Sequence, residues 1–248
     1  MRFHRWIVST LFLLLCASFA NGQGSANTSP EDPWTGSLGA GFSRTGGNTN
    51  TTSYNIAFNA LHDAKTGNVI KMDGLYLRST AQEERTADQL RLSFRDEKTI
   101  SDRLFAFGAV TLRRDPFSEI TYLVNPLAGI GYNLVKTDRW SFSLSGGGGV
   151  SWEKNPGLDV NTSGTVNAHQ ALGIQLAEKT SIYQSTSGLW MTDNFQDAFY
   201  HFVAGIATQL TDRIKLKVEF DDDFVNLPPS PNILKNDTAF LTTFLYSF

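Results

Sequence analysis

Cysteine is almost absent from this chain: one of its 248 residues is Cys, and that one, Cys16, lies in an apolar N-terminal stretch. A mature chain begun after it has no thiol, which excludes disulfides and thiolate metal sites. It also leaves nothing to mispair while the chain crosses an oxidising compartment unfolded. Long apolar runs are missing too. The run from Ile7 to Cys16 falls short of the about 20 apolar residues a membrane helix needs, and nothing downstream resembles such a helix. Histidine is scarce, with four in all, and no H-E-x-x-H or phosphate-loop pattern occurs. The Gly146 to Gly149 run lacks the Lys and helix that would follow it in a phosphate loop and reads as a small-residue strand.

The N-terminus has the layout of a secretory signal. Arg2, His4 and Arg5 precede the apolar run, and Ser18-Phe19-Ala20 offers small residues at the two positions a signal peptidase inspects. Leu15 before Cys16 departs from a lipoprotein signal. Residues 1–22 are therefore expected to be a cleaved signal peptide, ending at Ala20 or Gly22. Residues 23–33 are expected to be a flexible periplasmic leader, and residues 34–248 a single domain. Loss of Arg2 and Arg5 leaves 19 basic against 24 acidic residues. That mild acidity gives no footprint for nucleic acid.

What the chain does have is period two. A mean hydropathy of −0.21 looks too polar for a membrane protein, but in a transmembrane barrel only every second residue meets lipid. Trp34, Leu38 and Phe42 alternate with Thr35, Ser37, Gly39, Gly41 and Ser43. Leu90, Leu92 and Phe94 alternate with Arg91, Ser93 and Arg95. Tyr122, Val124, Ala128, Ile130, Tyr132 and Leu134 share a face interrupted by Pro126, which has no N–H for a ladder and predicts a bulge. Trp140, Phe142, Leu144, Val150 and Trp152 share another; the two Trp residues, at ~3.3 Å per residue and ~40° tilt, stand roughly 30 Å apart, the separation of two aromatic girdles. Leu172, Ile174 and Leu176 oppose His169, Gly173 and Gln175. Tyr200, Phe202 and Ile206 oppose His201 and Gln209. Ile214, Leu216, Val218 and Phe220 oppose Lys215, Lys217, Glu219 and Asp221. The chain closes on Thr238, Phe240, Thr242, Phe244, Tyr246 and Phe248, all on one side of a last strand.

Eight strands thus have a face. Four more, near 50–61, 69–79, 104–113 and 182–192, follow from spacing, with ambiguous faces. The expected fold is an all-β, antiparallel, up-and-down transmembrane β-barrel of about 12 strands, with 10 as the alternative. Ser101-Asp102-Arg103, Thr137-Asp138-Arg139, Thr211-Asp212-Arg213 and Ala177 to Thr180 read as short periplasmic turns, together with His62 to Asn68. In the three Asp-Arg turns the Asp is expected to bond its own backbone. The opposite loops are expected at 45–49, 80–86, 115–118, 153–162, 193–197 and 222–235, the last stiffened by Leu227-Pro228-Pro229-Ser230-Pro231.

Trp34 to Gly41, Thr45-Gly46-Gly47-Asn48, Ala128-Gly129-Ile130-Gly131-Tyr132, Asp237-Thr238 and the closing Tyr246-Ser247-Phe248, in that order, resemble the domain of unknown function 481 family. Its members are often labelled salt-induced outer membrane proteins of the YdiY type. The resemblance covers about Trp34 to Phe248 and implies an outer-membrane barrel in the Gram-negative envelope, with no established activity or site. Asn125-Pro126 departs from the family pattern.

The terminal Phe248 also resembles the end of barrels whose last strand is read by the outer-membrane assembly machinery. That machinery and outer-membrane lipid are the expected partners. Candidate lumen-lining residues are Arg91, Arg95, His169, His201, Lys215, Lys217, Glu219 and Asp221, placing both signs of charge inside. Candidate girdle residues are Trp34, Trp140, Trp152, Tyr246 and Phe248. No catalytic residue, metal site or cofactor is expected. His62, His169 and His201 lack the Ser two places on that lipid-hydrolysing barrels carry. The functional expectation is an outer-membrane barrel of undefined physiological role, with a narrow solute channel and an envelope-stress structural component as the candidates. The alternative is a hydrolase at the barrel rim built from Asp193, Asp197 and His201.

Overall fold

The computed structural model describes residues 34–45, 51–64, 66–228 and 235–248; the signal-peptide and leader expectations fall outside them. Twelve strands follow one another: β1 Trp34–Thr45, β2 Thr51–Asp63, β3 Asn68–Ala81, β4 Glu84–Thr99, β5 Leu104–Asp115, β6 Ile120–Lys136, β7 Trp140–Lys154, β8 Val160–Ala177, β9 Thr180–Met191, β10 Ala198–Gln209, β11 Ile214–Val225 and β12 Asn236–Ser247. Each pairs antiparallel with its chain neighbours, and β12 returns to β1, closing the barrel. Full closure removes the exposed sheet edges that hydrocarbon cannot satisfy, so the backbone of all twelve strands is compatible with a bilayer.

One arithmetic property sets the faces. Through the middle of every hairpin odd-numbered residues pair with odd, as in Ser37 with Asn59, Arg91 with Arg113 and Val203 with Asp221. Odd residues therefore face the interior on all twelve strands and even residues face out. This settles the four ambiguous strands; in β3 and β5 hydropathy did not alternate because the inner face carries large apolar side chains. Leu75, Leu77, Phe105, Phe107, Tyr183 and Met191 are buried inside, while outside stand Gly74, Gly108, Gln184 and Thr186.

The outer surface carries exposed Leu38, Ile56, Leu92, Ile130, Leu144, Val166, Ile206, Phe240 and Phe244, an apolar belt that only lipid covers favourably. One patch of it is polar. Gln170 Nε2 donates to Gln184 Oε1 at 3.1 Å, and Gln184 Nε2 donates to Thr186 Oγ1 at 2.8 Å. With no water at that depth these groups satisfy one another. Gln184→Leu alone is expected to destabilise the folded barrel by about 1 kcal/mol by stranding Gln170, whereas Gln170→Leu with Gln184→Leu is expected to stabilise it by about 1–2 kcal/mol. Urea unfolding of the reconstituted protein measures both. A double variant less stable than the single contradicts the account.

Several local expectations change. Pro126 makes no bulge: the β6–β7 register is the same at Val124–Trp152 as at Leu127–Gly149. Asn125 explains why. Its Nδ2 donates to the Val150 carbonyl at 3.0 Å and to Thr165 Oγ1 at 3.2 Å, replacing the donor proline lacks. The tight turns close on hydroxyls rather than on Asp. Thr137 Oγ1 accepts from Trp140 N at 2.9 Å, Thr211 Oγ1 from Ile214 N at 3.1 Å and Ser101 Oγ from Leu104 N at 3.3 Å. The side chain that meets the returning strand is thus the first of each turn. The loop expected over 80–86 shrinks to Gln82 and Glu83, both at positive φ, 51° and 70°, as a two-residue hairpin requires. β11 runs on to Val225, so Asp222 and Asp223 belong to the ladder and not to a loop.

Two features shape the wall. Inward-facing Gly129 and Gly147 pair across β6 and β7, and a Cβ on Gly147 would strike the Ala128 carbonyl oxygen and sit 3.0 Å from Gly129 Cα. Glycine is required there because the two backbones approach too closely for any side chain. The seam between β1 and β12 is short. Among the described residues it pairs Ser37 with Ser247 through Ala40 with Phe244, extended by Gly36 and Phe248, each donating its N–H to the other's carbonyl at 3.1 Å.

Candidate functional site

Among the described residues, the interior gathers the largest set of charged side chains held away from water. Alternation carries Arg91, Arg95 and Glu97 inward from β4, Lys71 and Asp73 from β3, Arg113 and Asp115 from β5, and Lys215, Lys217, Glu219, Asp221 and Asp223 from β11. Six of these are cations and six anions, and Glu153 on β7 and Asp63 on β2 share their parity, so both signs of charge line the inside.

Most of these groups are paired by contact. Glu97 takes Lys71 Nζ at 2.8 Å and Arg95 Nε at 2.6 Å, and the Arg95 guanidinium lies 3.6 Å above the Phe107 ring. Asp115, wholly buried, accepts from Arg113 Nη2 at 3.1 Å, Gln89 Nε2 at 2.9 Å and Ser118 Oγ at 2.7 Å. Lys217 Nζ meets Glu219 Oε2 at 2.7 Å, and Tyr183 Oη donates to the same oxygen at 2.7 Å. His201 Nδ1 is 2.6 Å from Asp223 Oδ1 and 3.4 Å from Asp221 Oδ1. Because an ionised carboxylate only accepts, the proton of that bond sits on Nδ1.

The packing is tight. Glu219 is 1% exposed and Asp221 2%, and the inward-facing Leu75, Phe107, Val203 and Thr243 are buried as well. A water-filled bore would leave such side chains wet. Twelve strands enclose a space between that of filled eight-stranded barrels and open sixteen-stranded porins, and here side chains occupy it.

Of the residues singled out from sequence, Arg91, Lys217, Glu219, Asp221 and His201 face inward and are buried. Arg95, His169 and Lys215 face inward and are less deeply covered, with His169 between Ser145 and Ser187 in register. Trp34, Trp140, Trp152, Tyr246 and Phe248 point outward and are exposed; Arg213 Nη1 donates to Tyr246 Oη at 3.1 Å. The rim grouping does not form. His201 is turned to Asp221 and Asp223, while Asp193 Oδ2 accepts from Ser163 Oγ at 3.0 Å. Asp197, in the 192–197 loop, has its carboxyl raised above the usual range by partial burial and then by the neighbouring Asp193 charge.

Sequence reasoning missed Lys71, Asp73, Glu97, Arg113, Asp115, Tyr183 and Asp223. Their signal was parity: each shares the odd numbering of Arg91 and Glu219, visible once a register is assumed for neighbouring hairpins.

A closed, twelve-stranded, antiparallel barrel, greasy outside and charged inside, is a transmembrane barrel of the outer-membrane type. The chain belongs to the family described as protein of unknown function, DUF481, whose model matches residues 38–248. Among solved structures it is similar to an outer membrane channel from Pseudomonas putida F1, with 14% identity, a TM-score of 0.53, and 89% of this chain and 97% of that one covered. It is also similar to the NanC porin, at 10% identity, TM-score 0.48, covering 86% and 97%, and to the KdgM porin, at 11% identity, TM-score 0.48, covering 87% and 99%. At such identities the likeness is one of fold. No curated protein sequence matches the chain.

Proposed function

We propose that this protein is a narrow solute channel of the outer membrane, closed in this conformation by the ion-paired side chains that line its interior. The observation that carries this reading is the set of buried charges of both signs. Ionisable groups inside a membrane cylinder are costly, and where they occur they tend to mark a path for ions or polar solutes. A barrel needing only to be stable is served as well by apolar filling. Trp34, Trp140, Trp152, Tyr246 and Phe248 would anchor the barrel at the two interfaces, with lipid as solvent and the assembly machinery engaging β12. The contact of His201 with Asp221 and Asp223, away from Asp193 and Asp197, favours a charge-network role over hydrolysis at the rim.

Single-channel recording in planar bilayers tests it. The wild-type barrel is expected to give small, infrequent steps. Arg95→Ala with Phe107→Ala, which removes the stacked pair facing the interior, is expected to give steps several-fold larger. If both remain silent over a wide voltage range while folded, the channel reading fails and a structural role in the envelope takes its place.

A further inference from the structure

The outer wall of β3, β4 and β5 carries a second cluster of charge, at the end opposite the short hydroxyl-closed turns. Arg78 stands in register between Tyr54 on β2 and Asp88 on β4. Arg114 Nη1 reaches Asp88 Oδ1 at 3.2 Å, and Arg85 Nη1 lies 3.6 Å from Asp88 Oδ2. Two guanidinium groups therefore gather around one carboxylate, with Arg78 in register beside it. Arg85 and Arg114 keep 56% and 45% of their side-chain surface exposed, whereas Asp88 keeps 13%. Each guanidinium brings five donors, far more than one carboxylate accepts.

Depth decides what those donors meet. All four residues are even-numbered or lie at the β4 entry, facing away from the barrel axis. Just below them are the Tyr54 and Tyr76 rings, 6.4 Å apart, at the level where an outward aromatic layer meets the membrane surface. Hydrocarbon offers no anion. The layer immediately above it offers phosphates on lipid headgroups, and the planar guanidinium fork matches phosphate oxygens in pairs.

We propose that Arg78, Arg85 and Arg114 form a binding site for a phosphate-bearing glycolipid headgroup of the outer leaflet, with Asp88 holding two of the guanidinium groups in place while the site is empty. The site rests on the outer-membrane reading and not on conduction, so silent bilayer recordings leave it standing. Native mass spectrometry of the detergent-purified barrel, titrated with bis-phosphorylated lipid A, tests it. Retention by the wild type is expected to weaken by about tenfold or more in the Arg78→Gln, Arg85→Gln, Arg114→Gln variant, and to be unchanged by Arg103→Gln with Arg213→Gln at the opposite end. Asp88→Asn, which removes the competing anion, is expected to tighten it, a gain that misfolding does not produce. Equal retention of the dephosphorylated glycolipid overturns the proposal, as does wild-type retention by the triple variant or no gain from Asp88→Asn. Displacement of the lipid by millimolar inorganic phosphate would make this a free-anion site and overturn the lipid assignment.

Discussion

Replacing Glu219 by Ala is expected to cost the folded barrel about 3–5 kcal/mol, the loss typical of breaking a buried ion pair on one side. Glu219 is among the most enclosed side chains in the molecule, and its Oε2 accepts from both Lys217 and Tyr183. Its removal leaves an ammonium and a phenol inside without the acceptor they share. The matching apolar double replacement, Lys217→Met with Glu219→Leu, is expected to recover most of the loss, because it removes the charge along with its partner. Guanidinium unfolding of the reconstituted protein reads both. A single variant within about 1 kcal/mol of wild type would mean that the interior is wetter than its packing indicates.

Gly147→Val is expected to destabilise by about 1–3 kcal/mol or to prevent folding altogether. The atoms a Cβ would meet are the carbonyl of Ala128 and the Cα of Gly129, and backbone held in a ladder cannot swing aside as a side-chain tip can. Gly108 provides the control. A Cβ there meets nothing within 4 Å, so Gly108→Ala is expected to be neutral or to stabilise by about 0.4–1 kcal/mol through the unfolded chain. Comparing the two by unfolding in the same lipid separates close approach from a general intolerance of substitution in this barrel. Equal effects would refute the close-approach argument.

The strand count, the closed class of fold and the outward faces of β1, β4, β6, β7 and β12 were legible because lipid enforces alternation where the interior is polar. Legibility failed where the interior is greasy. In β3 and β5, Leu75, Leu77, Phe105 and Phe107 face inward, so neither parity looked more polar than the other. The charged interior was half visible. Arg91, Arg95 and Lys215 to Asp221 sat on clear alternating strands, while Asp223 was assigned to a loop and Asp115 to a turn. Their roles depend on partners 26 and 22 residues distant, Gln89 for Asp115 and His201 for Asp223, and no local pattern encodes that. The Pro126 bulge was a sound inference from a missing N–H, undone by the neighbouring Asn125 amide.

The joint between β1 and β12 gives the final residue a mechanical importance out of proportion to its size. Phe248 supplies two of the few main-chain bonds that clasp the first and last strands, and its ring lies against Gly36. Every other neighbouring pair of strands is tethered by its own hairpin and stays in proximity even when frayed. This pair alone has no connecting hairpin, so the cylinder can be fastened last and unfastened first along a single line, with its clasp at Gly36 and Phe248.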